Sequence, residues 1–163
     1  MAETSNTGSG QAKMHHVAYK SPPLKGPRAG IRLAQTETMW VNLQVFKPGI
    51  GERELHAHTG MDGLWLVMRG KARFYDDKEQ FIEAGPLEAV FVPRDAPYWF
   101  ENAGDEPLEL LQVESIDKRI PNKLVRLRPN NEPERVESFT PDGKLISDTV
   151  SDRRELDKLR DGM

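Results

Sequence analysis

Between Thr38 and Glu114 the chain is written in short apolar or alternating runs separated by turn residues at regular intervals, the texture of an antiparallel sandwich or barrel. The runs predict seven strands: Thr38–Phe46, Arg53–His58, Leu64–Met68, Ala72–Asp76, Gln80–Glu83, Glu88–Pro93 with its continuation Tyr98–Asn102, and Leu108–Ser115. Turn chemistry stands at the breaks, as Lys47-Pro48-Gly49, Thr59-Gly60, Arg69-Gly70-Lys71, Gly85-Pro86, Pro93 to Pro97 and Ala103-Gly104-Asp105. The predicted organisation is one all-β domain over residues 31–120, between a flexible N-terminal arm (1–30) and a polar C-terminal extension (121–163). The arm has no apolar run long enough to fold alone. In the extension, Arg128-Pro129-Asn130-Asn131 reads as a loop leaving the barrel, and Leu156 and Leu159 sit three apart on a short helix spanning 151–163.

At 163 residues the chain suits a single domain with a real core. Hydrophobic residues are 37% and charged residues 30%, and the mean hydropathy of −0.66 is low enough to imply polar tails around that core. The net charge of −3 shows no concentrated basic face and argues against nucleic acid. With no cysteine there is no disulfide, thiol nucleophile or thiolate metal site. Neither an apolar N-terminal leader nor a membrane-length apolar stretch is visible, so a soluble, cytoplasmic protein is expected.

The chemistry concentrates in Glu54-Leu55-His56-Ala57-His58. Side chains alternate faces along a strand, so positions 54, 56 and 58 share one face, with the two imidazoles about 7 Å apart along it. Two imidazoles so placed are able to ligate one ion. An exposed strand also tolerates the same pair without any ligand.

The surrounding run PGIGERELHAHTGMDGLWLVMRG (Pro48–Gly70) resembles the first motif of the cupin family, and GPLEAVFVPRDAPYWFEN (Gly85–Asn102) resembles the second. The resemblance implies a double-stranded β-helix, or jelly-roll, barrel. It also implies a metal shell of two motif-one histidines, a motif-one glutamate seven residues before a glycine, and a motif-two histidine. His56 and His58 match. Gly63 stands in the glutamate position and Tyr98 in the third histidine position, while Asp95 replaces a customary glycine. Three residues are candidates to complete the shell: Asp62 from its loop, Tyr98 as a phenolate, and Glu54 from the rim.

A nitrogen and oxygen donor set without sulfur suits divalent Fe, Mn, Ni, Co or Zn. On this reading His56, His58, Tyr98 and Asp62 hold the metal, Tyr98 and Glu54 are the catalytic acid and base, and Trp65 and Phe100 wall the substrate. The expected activity is that of a dioxygenase, lyase or isomerase on a small oxygenated molecule. The alternatives are a metal-free small-molecule-binding or regulatory barrel and a purely structural dimer. Trp99 alternates outward, and Asp76-Asp77 reads as a hairpin turn. Met39 to Phe46 carries large side chains on both faces, which together with the resemblance predicts a homodimer through that strand.

Overall fold

The computed structural model describes residues 13–128, 133–139 and 145–150, and among these it contains strands and no helix. In chain order the strands are β1 (Arg28–Gln35), β2 (Met39–Phe46), β3 (Gly51–His58), β4 (Met61–Arg69), β5 (Ala72–Tyr75), β6 (Phe81–Ala84), β7 (Ala89–Val92), β8 (Tyr98–Asn102), β9 (Leu108–Ile116), β10 (Lys123–Leu127), β11 (Pro133–Phe139) and β12 (Leu145–Val150). They form two sheets, ordered β1-β2-β9-β4-β7 and β12-β11-β10-β3-β8-β5-β6. Every pairing is antiparallel. The antiparallel all-β barrel expected from the alternation, of the jelly-roll form that the resemblance implies, is the fold observed.

The two sheets close on an aromatic core. Phe100 is fully buried, stacked on Phe74 at 4.9 Å between ring centroids and edge-on to Phe46 at 5.3 Å. Trp65, 1% exposed, lies against Phe74 and Tyr98. Each such ring contributes roughly 1.5–3 kcal/mol on leaving water. Asn102 fixes one end of the core: its amide donates to the carbonyls of Phe46 and Glu106 while its side-chain oxygen accepts from the Gly104 N–H.

Several boundaries differ from the expectation. Glu88–Pro93 and Tyr98–Asn102 do not continue one another: β7 pairs with β4 in one sheet, whereas β8 pairs with β3 and β5 in the other. Asp95 makes this crossover in a left-handed conformation (φ 65°), the backbone state for which the motif's usual glycine is suited. The barrel also begins earlier, because β1 starts at Arg28 inside the predicted arm and pairs along β2. Ahead of it the arm meets the sheet at least once, where the Ser21 hydroxyl donates to Glu109. Three further strands extend the second sheet, β10 adding to β3, β11 to β10 and β12 to β11. Their polar composition hid them, since Lys123-Leu-Val-Arg-Leu offers little apolar contrast. The predicted helix over 151–163 lies outside the described residues. Among the described residues no helix is long and apolar enough to cross a membrane.

Candidate functional site

Two walls face each other across the barrel interior. The first belongs to β3 and β8. Opposite residues in their register are Glu52 with Phe100 and His56 with Tyr98, so four residues of β3 span two of β8. This bulge keeps Glu52 and His56 on the inner face and throws Glu54 outward. Glu54 is exposed, ion-paired with Arg126, and lines an outer groove together with Trp99. It does not share the inner face with the histidines, contrary to the simple alternation. Glu52, which the sequence reading passed over, takes that place, with its Oε2 3.7 Å from His56 Nε2.

His56 is 3% exposed, and its Nδ1 lies 2.7 Å from the Glu54 carbonyl oxygen. A carbonyl only accepts, so the proton sits on Nδ1 and Nε2 offers a lone pair toward Glu52. Burial lowers the His56 imidazole below its ordinary value and pushes His58 down to about 3. Both rings are therefore neutral near pH 7. Their centroids are 5.3 Å apart and nearly perpendicular, and Tyr98 packs 4.4 Å from His56 and 6.4 Å from His58. Burial drives the Tyr98 phenol well above its usual value, so the hydroxyl keeps its proton. The structure thus brings His56, His58 and Tyr98 together. Trp65 joins His58 and Tyr98 in lining a cavity of about 10 Å³, room for about one water, whereas Phe100 sits in the aromatic core.

Asp62 faces elsewhere. Its carboxylate receives the Arg94 guanidinium at 2.8 Å and the Arg94 backbone N–H at 2.8 Å, which holds it below the usual carboxylate range. Its expected swing toward the histidines is replaced by this pair, which ties β4 to the loop after β7.

The second wall was not anticipated. On β9 the inward positions run Leu108, Leu110, Gln112, Glu114 and Ile116, all buried, two of them polar. Gln112 Nε2 donates to Glu114 Oε1 at 2.7 Å, Asn42 Nδ2 donates to Gln112 Oε1 at 3.0 Å, and Arg32 Nε donates to Asn42 Oδ1. Burial, reinforced by the Glu52 charge, raises the Glu114 carboxyl to about 7. The signal in the sequence was the pair of polar residues on the inward parity of an otherwise apolar strand.

The model of the family described as the cupin domain matches residues 42–114. The matched stretch runs from β2 to β9, the strands that carry both motifs. A sugar phosphate isomerase of the cupin superfamily from Silicibacter pomeroyi superposes with a TM-score of 0.62 at 20% identity, covering 77% of each chain. The Thermus thermophilus protein TT1209 gives a TM-score of 0.50 at 28% identity over 55% of this chain and 84% of its own. Among curated proteins, mannose-1-phosphate guanylyltransferase 2 of Escherichia coli O157:H7 is 32% identical over 93 residues. That match spans 56% of this chain and 19% of the guanylyltransferase.

The cupin metal shell does not fit the residues present. A Cβ built on Gly63, the glutamate position, would meet Trp65 Cζ3 at 2.3 Å and Cη2 at 2.4 Å. The indole fills the space in which a glutamate would reach the histidines. The third histidine position holds Tyr98, a protonated phenol in the core. Among the described residues no three of His, Cys, Asp and Glu converge as ligands for one ion.

Proposed function

We propose that this barrel binds a small oxygenated organic molecule beside the histidine wall, through hydrogen bonds and without a metal centre, the side chains around the one-water cavity parting to admit it. Of the expectations drawn from the sequence this is the metal-free alternative. The observation that carries it is the Trp65 indole lying over Gly63, which replaces a ligand position by packed hydrocarbon. The remaining groups suit a molecule with several hydroxyls: neutral His56 presents an Nε2 acceptor 3.7 Å from the Glu52 carboxylate, two acceptors to which neighbouring hydroxyls donate one hydrogen bond each. The match to a protein named for mannose 1-phosphate makes a phosphorylated sugar the first compound to try.

Isothermal titration with α-D-mannose 1-phosphate and D-gluconate tests this reading. Binding that survives exhaustive chelation and falls at least tenfold in His56→Ala supports it. Binding that appears only after divalent metal is restored overturns it in favour of the metal-dependent oxygenase, lyase or isomerase. The same proposal includes a homodimer, although Leu43 and Val45 of β2 are already buried within one chain. A monomer at micromolar concentration in sedimentation would overturn that part.

A further inference from the structure

The donors of the second wall run in one direction. Arg32 donates to Asn42, Asn42 to Gln112, and Gln112 to Glu114 Oε1, crossing β1, β2 and β9 in register (Arg32 opposite Asn42, Asn42 opposite Gln112). The chain begins at an exposed guanidinium and ends on a carboxyl only 5% exposed. The order of donors orients every amide and fixes Glu114 in one pose. An apolar core needs no such arrangement, because four packed aliphatic side chains would fill the same volume without it.

A second observation points inward from the same place. Trp40, cross-strand from Glu114 and 7% exposed, carries an indole N–H with no hydrogen-bond partner. The Arg32 guanidinium lies over its ring at 4.7 Å. Gln44 adds a buried side-chain oxygen without a partner on the same inward parity of β2. An unpaired donor, an unpaired acceptor and a buried carboxyl share one wall. Glu52 and Tyr98 on the other wall lie within electrostatic reach of Glu114.

From this we infer that the Arg32–Asn42–Gln112–Glu114 wall is the reading half of the ligand site, and that it takes an organic anion bearing several hydroxyls, a phosphorylated or carboxylated sugar. Hydroxyls are the groups that both donate and accept, as a mixed set of indole N–H, amide oxygen and carboxyl oxygen requires. Arg32 at the rim supplies the cation for the anionic group, with a planar fork that matches phosphate or carboxylate. Arg28 stands further along the same face of β1, 4.0 Å from Glu52, so the entrance is cationic and the interior acidic. In this division Glu114 and Trp40 touch the ligand, while Asn42 and Gln112 position Glu114. The inference rests on the binding reading above and extends it from the histidine wall to the opposite one.

Indole N–H resonances of the three tryptophans give a direct readout by 1H–15N correlation NMR on the full chain, with α-D-mannose 1-phosphate, D-gluconate, D-mannose and inorganic phosphate as the compounds titrated. The expected result is a saturable shift of the Trp40 indole signal with at least one of the two hydroxylated anions, while the Trp99 signal stays still. Glu114→Gln is expected to weaken that binding at least tenfold. Arg32→Gln, a change at the exposed rim that leaves the core intact, is expected to reduce the anion's affinity to that of D-mannose. Should Glu114→Gln disturb the fold, seen as lost dispersion in the same spectra, the Arg32→Gln arm decides alone. Binding lost in His56→Ala but unchanged within twofold in Arg32→Gln and Glu114→Gln overturns the inference and leaves the proposed function standing. Failure of all four compounds to bind overturns both.

Discussion

The two inner walls of this barrel are built from similar materials and hold them in opposite ways. On the β3/β8 wall, His56 and His58 are packed edge to face with Tyr98 tilted against both, and all three are neutral because burial disfavours their charged forms. On the β2/β9 wall, Asn42, Gln112 and Glu114 are linked by hydrogen bonds and end at an exposed cation. The first wall follows the cupin pattern with two ligand positions replaced, and packing supports it. The second departs from hydrophobic packing inside a core, and a directed polar chain supports it. A family motif therefore marks where a site lies. Polar residues on an inward parity mark what the site has come to read.

The contrast is open to disruption in graded steps. The largest effect is expected from Trp65→Ala, which removes the indole shared by Phe74, Tyr98 and Phe100 and should cost about 3–5 kcal/mol in denaturant unfolding. Gly63→Ala should come next: its Cβ has no room beside Trp65, so a loss of about 1–3 kcal/mol is expected, and a neutral result would show that the indole does not occupy that space.

The walls should also respond to pH with opposite sign. Glu114, raised from 4.5 to about 7, binds its proton more tightly folded than unfolded. Its contribution is complete below about pH 4.5 and is lost as the pH rises through 7. His58, lowered from 6.5 to about 3, contributes fully above 6.5 and loses that contribution as the pH falls toward 3. Thermal melts of Glu114→Gln should accordingly exceed wild type at pH 8, by on the order of 1–3 kcal/mol, with the gap shrinking toward pH 5. The smallest effect belongs outside both walls. Asp62→Asn, at a partly exposed ion pair with Arg94, should cost under about 1 kcal/mol and leave ligand binding unchanged.

The histidine wall was legible in the sequence because His56-Ala57-His58 lies in a regular stretch where parity alone assigns the faces. Two residues upstream parity failed, since the β3 bulge expels Glu54 while leaving Glu52 on the inner face, and no local residue announces it. The sequence located the barrel through its strongly apolar strands and missed β10 to β12, whose low contrast resembles a solvated tail. Arg32, Asn42, Gln112 and Glu114 were illegible for a different reason. Each is ordinary where it stands, and only the pairing of β1 with β2 and β2 with β9 turns separated polar residues into one chain. Asp62 shows the reverse error: adjacency to the expected glutamate position suggested a ligand, whereas Arg94 claims its carboxylate.

The account turns on whether the histidine wall is a binding wall or a metal centre, and elemental analysis after reconstitution with Fe(II), Mn(II), Ni(II), Co(II) and Zn(II), in wild type, His56→Ala and Glu52→Gln, tests this most directly. The account predicts metal well below one ion per chain, and the same in all three proteins. One ion per wild-type chain, lost in His56→Ala or Glu52→Gln, would contradict it.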